Sequence, residues 1–190
     1  PVITEAPLAQ ALTTYREGEV RFESVVGMNV FLREHGRGKI LETLLGLMVP
    51  GSFISLAETV PRHAQRLSGL LTGTEDNLVD AFRSAEERVY TGGLPGMTDW
   101  DEDDILKEMA DAGFKDPRLQ LEHFTESRVI TDKDLTSWFD PSHANGPSYG
   151  SIVRECMGEE SASEIKALLA NLSGRPIDWR RTVAFVTASS

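Results

Sequence analysis

The run from Arg21 to Glu58 constrains the fold more than any other part of the chain. "RFESVVGMNVF" (Arg21 to Phe31) is enriched in β-branched and aromatic residues, with apolar side chains at Phe22, Val25 and Val26 and then Gly27 as punctuation. It reads as a mostly buried strand. "KILETLLGLM" (Lys39 to Met48) sets apolar residues at 40, 41, 44, 45, 47 and 48, a wide helical face. Pro50-Gly51 ends that helix, and "SFISLAE" (Ser52 to Glu58) reads as the next buried strand. Strand, helix and strand with short links form a βαβ unit, which favours parallel pairing through a right-handed crossover. The second strand then delivers a carboxylate, Glu58, at its end.

After Glu58 the pattern turns mostly helical. Arg62 to Leu71 and Asp76 to Val89 carry helical periodicity, and "YTGGLPGM" (Tyr90 to Met97) is a Gly/Pro loop. "TDWDEDDILKEMADAGF" (Thr98 to Phe114) reads as a helix capped by Thr98 or Asp99 and closed by Gly113. "RLQLEHFTESRVIT" (Arg118 to Thr131) alternates and reads as a strand, followed by a short helix at Asp132 to Phe139. A loop at Asp140 to Gly150 leads to helices at Ser151 to Met157 and Ala162 to Leu172, and "DWRRTVAFVTA" (Asp178 to Ala188) is a final strand. Upstream, "PVITE" (Pro1 to Glu5) reads as the tail of a strand and Pro7 to Tyr15 as a helix with proline at its first position.

Composition excludes more than it selects. The 190 residues fit one domain. Thirty Asp plus Glu against nineteen Lys plus Arg give a net charge of −11, which argues against a broad nucleic-acid surface. Arg62 and Arg66 leave room for a local basic patch, or read simply as the solvent side of a helix. No apolar run approaches the roughly 20 residues of a membrane span. The single Cys156 fits a reducing cytoplasm and reads as a small buried hydrophobe. The chain opens at Pro1 without Met, already in a β pattern, so an excised piece of a longer protein is expected.

Three tempting motifs fail on context. "GPSYG" (Gly146 to Gly150) matches the nucleophile elbow, but a loop precedes Ser148 and no His follows to complete the order of a hydrolase. "DWDED" (Asp99 to Asp103) starts like a calcium loop, yet Asp104 stands where glycine is needed and Ala110 where a bidentate Glu is needed. These acids read instead as the start of a helix. "HGRGK" (His35 to Lys39) completes neither the dinucleotide fingerprint nor the P-loop. His35, His63, His123 and His143 show no metal-ligand spacing, so no metal is expected.

Taken together, "VRFESVVGMNVF", "KILETLLGLMVPGSFISLAE", "WDEDDILKEMADAGFKDPRLQLE" and "RRTVAFVTA" resemble the second half of a class I S-adenosylmethionine-dependent methyltransferase. The resemblance covers most of the chain from Val20 onward. It implies an α/β, partial Rossmann-like methyltransferase fold, a mixed sheet of about four to five strands with helices on both faces. It also implies that the last two strands form an antiparallel edge. Residues 1–190 are then one methyltransferase-like domain without its N-terminal cofactor-binding strands, where the family holds the donor with a Gly-rich loop and an acid. Open α/β sheets bind ligands beyond the carboxyl ends of their strands. By that rule Gly27, Met28 and Asn29 fall on the cofactor side, with Glu5 at the place of an adenine-side acid. Glu58, Thr59, Arg62 and His63 fall on the substrate side. Asn29 reads equally well as a turn former.

A narrower resemblance joins "VRFESVVGMNVF" to "LAETVPRHAQRL". That pairing is similar to the methyltransferase-like C-terminal extension fused to a bacterial, cyanobacterial-type, replication-associated recombination AAA+ ATPase. The implied function is an accessory domain of a larger protein, not catalytically competent alone, with S-adenosylmethionine as cofactor only if the parent is an active enzyme. The alternative is a protein-interaction module on an α/β scaffold within a DNA-maintenance ATPase. Expected partners are the N-terminal portion of the parent, joined covalently or not, and a second copy through an exposed sheet edge.

Overall fold

A computed structural model describes residues 12, 15, 21–31, 36–71, 77–93, 98–140 and 148–190. The expected strand at Pro1 to Glu5, most of the helix after it, Glu5 itself, His35 and His143 lie outside the described residues. Four strands, β1 (Phe22–Met28), β2 (Met48–Thr59), β3 (Lys115–Val129) and β4 (Pro176–Ser189), form one mixed sheet in the order β1-β2-β4-β3. β1 and β2 pair in parallel, Ser24 to Met28 opposite Phe53 to Ala57. β2 and β4 pair antiparallel, Phe53 to Thr59 against Ser189 to Val183. Helices α1 (Arg37–Gly46), α2 (Asn77–Arg88), α3 (Glu102–Ala112), α4 (Asp132–Phe139), α5 (Tyr149–Met157) and α6 (Glu159–Ala170) complete an α/β architecture.

Pro50-Gly51 behaves differently from the expectation. α1 stops at Gly46, and the Leu47 N–H returns to the carbonyls of Leu44 and Leu45. The Pro-Gly pair sits inside β2, where the register jumps: Phe22 to Ser24 on β1 matches Met48 to Phe53 on β2. Gly51 takes φ 79°, which only glycine adopts cheaply, so the extra residues bulge out without breaking the pairing beyond.

By internal contacts the chain divides into two compact units. The first contains Pro1–Val60, Trp100–His123 and Thr182–Ser190. Its core gathers Ile40, Leu41 and Leu44 of α1, Ile105 and Met109 of α3, and the inward residues of β2 and β4. Arg37, 6% exposed, makes a two-pronged ion pair with Glu108 (2.8 and 3.0 Å) and lies 4.9 Å above the Trp100 ring, tying α1 to α3. The cap of α3 is Asp101, not Thr98 or Asp99: its carboxylate accepts from the Asp103 and Asp104 N–H groups, and Asp104 accepts from Asp101 N–H in return. The buried Trp100 delays the helix start by holding the chain against the core.

The second unit contains Pro61–Asp99 and Phe124–Arg181. The helix expected over Arg62 to Leu71 is replaced by two single 3-10 turns, Pro61–His63 and Ser68–Leu70. Side chains take the backbone groups that a helix would pair internally. Glu86 of α2 accepts from Leu67 N–H (2.6 Å) and Ser68 N–H (2.9 Å). The Arg66 guanidinium donates to the carbonyls of Ala64 (2.9 Å) and Arg62 (3.2 Å). Phe82, Ile130, Leu135, Phe139, Ile165 and Leu169 lie at the core of this unit. Trp138 stacks on Trp179 at 6.1 Å, with Arg128 over both rings and bonded to Asp134 at 2.8 Å. Cys156 is half-buried beside Arg88, more open than a core hydrophobe.

Ser148 is the N-cap of α5, its hydroxyl accepting from Ser151 N–H. Gly150 packs so tightly that a Cβ there would stand 2.6 Å from Phe139 Cα and 2.7 Å from the Trp138 carbonyl oxygen. Those backbone atoms belong to α4 and cannot swing aside. Gly150→Ala is therefore expected to destabilise the chain by about 1–3 kcal/mol in urea unfolding. Ser148→Ala, which removes only the cap, should cost about 1 kcal/mol. Equal, negligible effects of both would contradict the packing described here.

Candidate functional site

The carboxyl ends of β1 and β2 meet at Glu58. Alternation along β2 turns this residue to the same face as Ile54 and Leu56, into the core, where it is 1% exposed. There its carboxylate reaches the turn that follows β1. Val30 N–H donates to Oε1 (2.8 Å) and Phe31 N–H to Oε2 (3.3 Å). Asn29 completes the joint from the other strand. Its N–H donates to the Ala57 carbonyl (2.9 Å) and its Oδ1 accepts from Thr59 N–H (2.9 Å). Asn29 holds φ 52°, left-handed, which a short amide side chain tolerates better than most.

Burial pushes the Glu58 carboxyl up to about 7, against the pull of the Val30 and Phe31 N–H groups. A carboxyl poised near neutrality at a strand end is the profile of a general acid or base. Geometry assigns it to structure, because each oxygen faces a backbone amide and the group is sealed from solvent.

Gly27, Met28, Asn29, Glu58 and Thr59 therefore come together in the first unit. A Cβ on Gly27 would stand 2.7 Å from Val30 Cγ1 and 3.1 Å from Leu56 Cδ2, so glycine is required by packing. Met28 is 75% exposed. Arg62 and His63 are the exposed residues of the turn Pro61–His63 in the second unit, where Pro61 is buried. A cofactor such as S-adenosylmethionine needs acceptors for its ribose hydroxyls and donors for its carboxylate. At the β1 end the Asn29 amide oxygen, the Thr59 N–H and the Val30 and Phe31 N–H groups already bond one another's side chains and backbone. These residues do not form a cradle for that cofactor by themselves. Among the described residues no group of three or more His, Cys, Asp or Glu gathers to hold a metal ion.

Sequence reasoning missed the polar centre of the second unit. Glu86, fully buried, accepts from Tyr149 O–H (2.8 Å) in addition to the two backbone amides. Burial, with the Glu86 charge, pushes the Tyr149 hydroxyl well above its ordinary value and Tyr90 up to about 12. Arg66 pairs with Glu87 (2.7 and 3.2 Å) and lies 3.7 Å above the Tyr90 ring. A Glu on the inward side of an otherwise amphipathic helix, beside Phe82 and Ala85, was the available signal.

No protein-family model matches the chain, and no curated protein gives a match. Similar solved structures include phosphoethanolamine N-methyltransferase 1 of Haemonchus contortus in complex with phosphoethanolamine and S-adenosylhomocysteine. That match has a TM-score of 0.41 and 8% identity over 96% of this chain, which spans only 23% of the other. A Bacillus halodurans protein assigned as a methyltransferase matches with a TM-score of 0.43 and 15% identity, over 89% of this chain and 70% of that one. The cyclase SpnF matches with a TM-score of 0.38 and 14% identity, over 100% and 65%. At these scores the α/β assignment rests on the chain's own strand order and register.

Two expectations follow from the joint. The folded protein binds the Glu58 proton more tightly than the unfolded chain does, so this group's contribution to stability is full below pH 4.5 and is lost as pH rises towards 7. The stability difference between wild type and Glu58→Gln, from urea titrations at pH 4.5, 6, 7 and 8, should fall by up to about 3 kcal/mol across that window and then level off. A difference independent of pH would show that Glu58 does not titrate there. At Asn29, Ala loses both the amide acceptor and the tolerance of left-handed backbone, whereas Gly loses only the acceptor. Asn29→Ala should unfold more easily than Asn29→Gly, by about 1 kcal/mol.

Proposed function

We propose that this chain is the carboxyl-terminal part of an S-adenosylmethionine-dependent methyltransferase-like α/β domain, acting as an accessory module of a larger protein and not transferring methyl groups alone. The observation that carries this reading is the strand order. A parallel β1-β2 pair is followed by a last strand that runs antiparallel to β2 and lies between it and β3. The quoted sequence segments imply a mixed sheet of this kind, with the last two strands at its antiparallel edge. The strand-end chemistry supports the accessory role, since both Glu58 oxygens and the Asn29 amide oxygen are engaged in the joint. In its finer form the proposal makes the parent a cytoplasmic recombination-associated AAA+ ATPase. No helix among the described residues is long and apolar enough to cross a membrane.

A pure interaction module is the second reading. It is favoured by Val26, Met28 and Phe53, which stand 76%, 75% and 54% exposed on one sheet. Calorimetric titration of S-adenosylmethionine separates the two readings. Binding is expected only to the longer protein, with no heat from the 190-residue chain. Saturable binding to the 190-residue chain would overturn the claim that it is not competent alone, and no binding to either would favour the interaction module.

A further inference from the structure

A second copy of the chain is expected at an exposed sheet edge, and the strand order offers two edges, β1 and β3. β1 holds a single charged residue, Glu23, and offers itself no opposite charge. β3 is different. Among the described residues no strand pairs with its outer side. Within the first unit Leu119 and Leu121 pack on the core, while Arg118, Gln120 and Glu122 alternate with them and are exposed. Among the described residues Arg118 makes no ion pair, and Glu122 accepts only from Gln120 Nε2 (3.1 Å). The exposed row thus carries a cation, an amide and an anion at equal spacing.

We propose, independently of the methyltransferase reading, that the β3 edges of two copies pair antiparallel about a two-fold axis at Gln120. In an antiparallel pair, residues directly opposite share a face and their side chains meet. An axis at Gln120 sets residue 118 against 122 and residue 119 against 121. Arg118 of each copy then faces Glu122 of the other, with the two Gln120 amides between these pairs. Leu119 faces Leu121 on the core side. Neighbouring registers lack this match. An axis at Leu119 sets Asp116 against Glu122, and one at Leu121 sets Arg118 against Phe124. One at Glu122 sets that carboxylate against itself. The charge pattern therefore selects a second copy as the occupant and Gln120 as the centre. Pro117, which has no N–H, falls at the margin of the paired stretch, opposite His123, where it removes one donor. Each copy uses its β3 edge once, so the two-fold contact closes at a dimer.

Sedimentation velocity over a concentration series of the 190-residue chain tests the pairing. A reversible dimer is expected towards high concentration. Arg118→Glu alone and Glu122→Arg alone each set like charges opposite one another at both ends of the contact. Either should weaken the dimer by roughly tenfold. Introduced together they restore opposite charges in the same register and should restore the dimer. Both positions are exposed, so far-ultraviolet circular dichroism should stay unchanged. Gln120→Cys, which faces its own copy, should give a disulfide-linked dimer on oxidation, whereas wild type, with Cys156 alone, should not. Charges and proline are also the means by which edge strands resist pairing. A monomer at every concentration would establish that role and overturn the proposal. Dimers that neither single reversal weakens would place the contact elsewhere and overturn it as well. Failure of the double reversal to restore the dimer, or of Gln120→Cys to crosslink, would overturn the register at Gln120.

Discussion

The first unit depends on a buried carboxyl group that binds the chain's own backbone. Burying Glu58 costs several kcal/mol unless its oxygens are satisfied. Two successive amides, Val30 and Phe31, satisfy them. They converge because Asn29 turns the chain through the left-handed region directly before them. Turns of this kind make small anion-binding concavities from consecutive N–H groups. In many proteins such a concavity receives a ligand. Here the Glu58 carboxyl of the neighbouring strand takes that place, so the position is filled from within and the ends of β1 and β2 are locked together. Asn29 adds the reciprocal bond to Thr59 N–H, which leaves neither strand end free to move without the other.

The second unit uses the same device with different surroundings. Glu86 takes two consecutive amides, Leu67 and Ser68, and a third donor, Tyr149 O–H. With three donors it satisfies a carboxylate more completely than two can. The tyrosines beside it hold their protons more tightly, chiefly because burial disfavours their ionised form and then because ionising either would place a second negative charge near Glu86. Arg66 closes this region by spending its guanidinium on Glu87, two carbonyls and the Tyr90 ring. A residue that reads as a free basic handle is thus a structural tie.

The elements with strong periodicity were legible in the sequence: β1, α1, β2, α4 and β4 fall close to their expected places, because hydrophobic pattern and burial coincide there. The parallel pairing followed from the same pattern. What was not legible depends on contacts distant in sequence. The segment after Val60 is helical by pattern, but Glu86, eighteen and nineteen residues away, takes its amides. Pro50-Gly51 reads as a turn, and only the β1 partner makes it a bulge. At the candidate site, Glu58 was legible as an unusual residue at a strand end. Its role was not, because one strand does not reveal which backbone amides the other will present. Helices were expected on both faces of the sheet. α1 and α3 pack on the side of Ile54, Leu56 and Val186, and in the second unit α4 and α6 pack against Ile177 and Trp179 of β4.

Where the chemistry can and cannot reside follows from this distribution of polar and apolar groups. A general acid or base must come within hydrogen-bond reach of a substrate atom. Glu58 has the affinity for protons that such a role requires and lacks the access, with both oxygens turned to amides and 1% exposure. Opening it to a ligand would break the β1-β2 joint and leave the Val30 and Phe31 N–H groups unpaired, at about 1–3 kcal/mol each. Any function that preserves the fold must therefore act around this joint and not through it. Among the described residues of β1, the exposed surface next to it is the one bearing Val26 and Met28, which is apolar. That surface cannot polarise a bond or move a proton, but it can hold a packed layer in fixed register beside the strand ends.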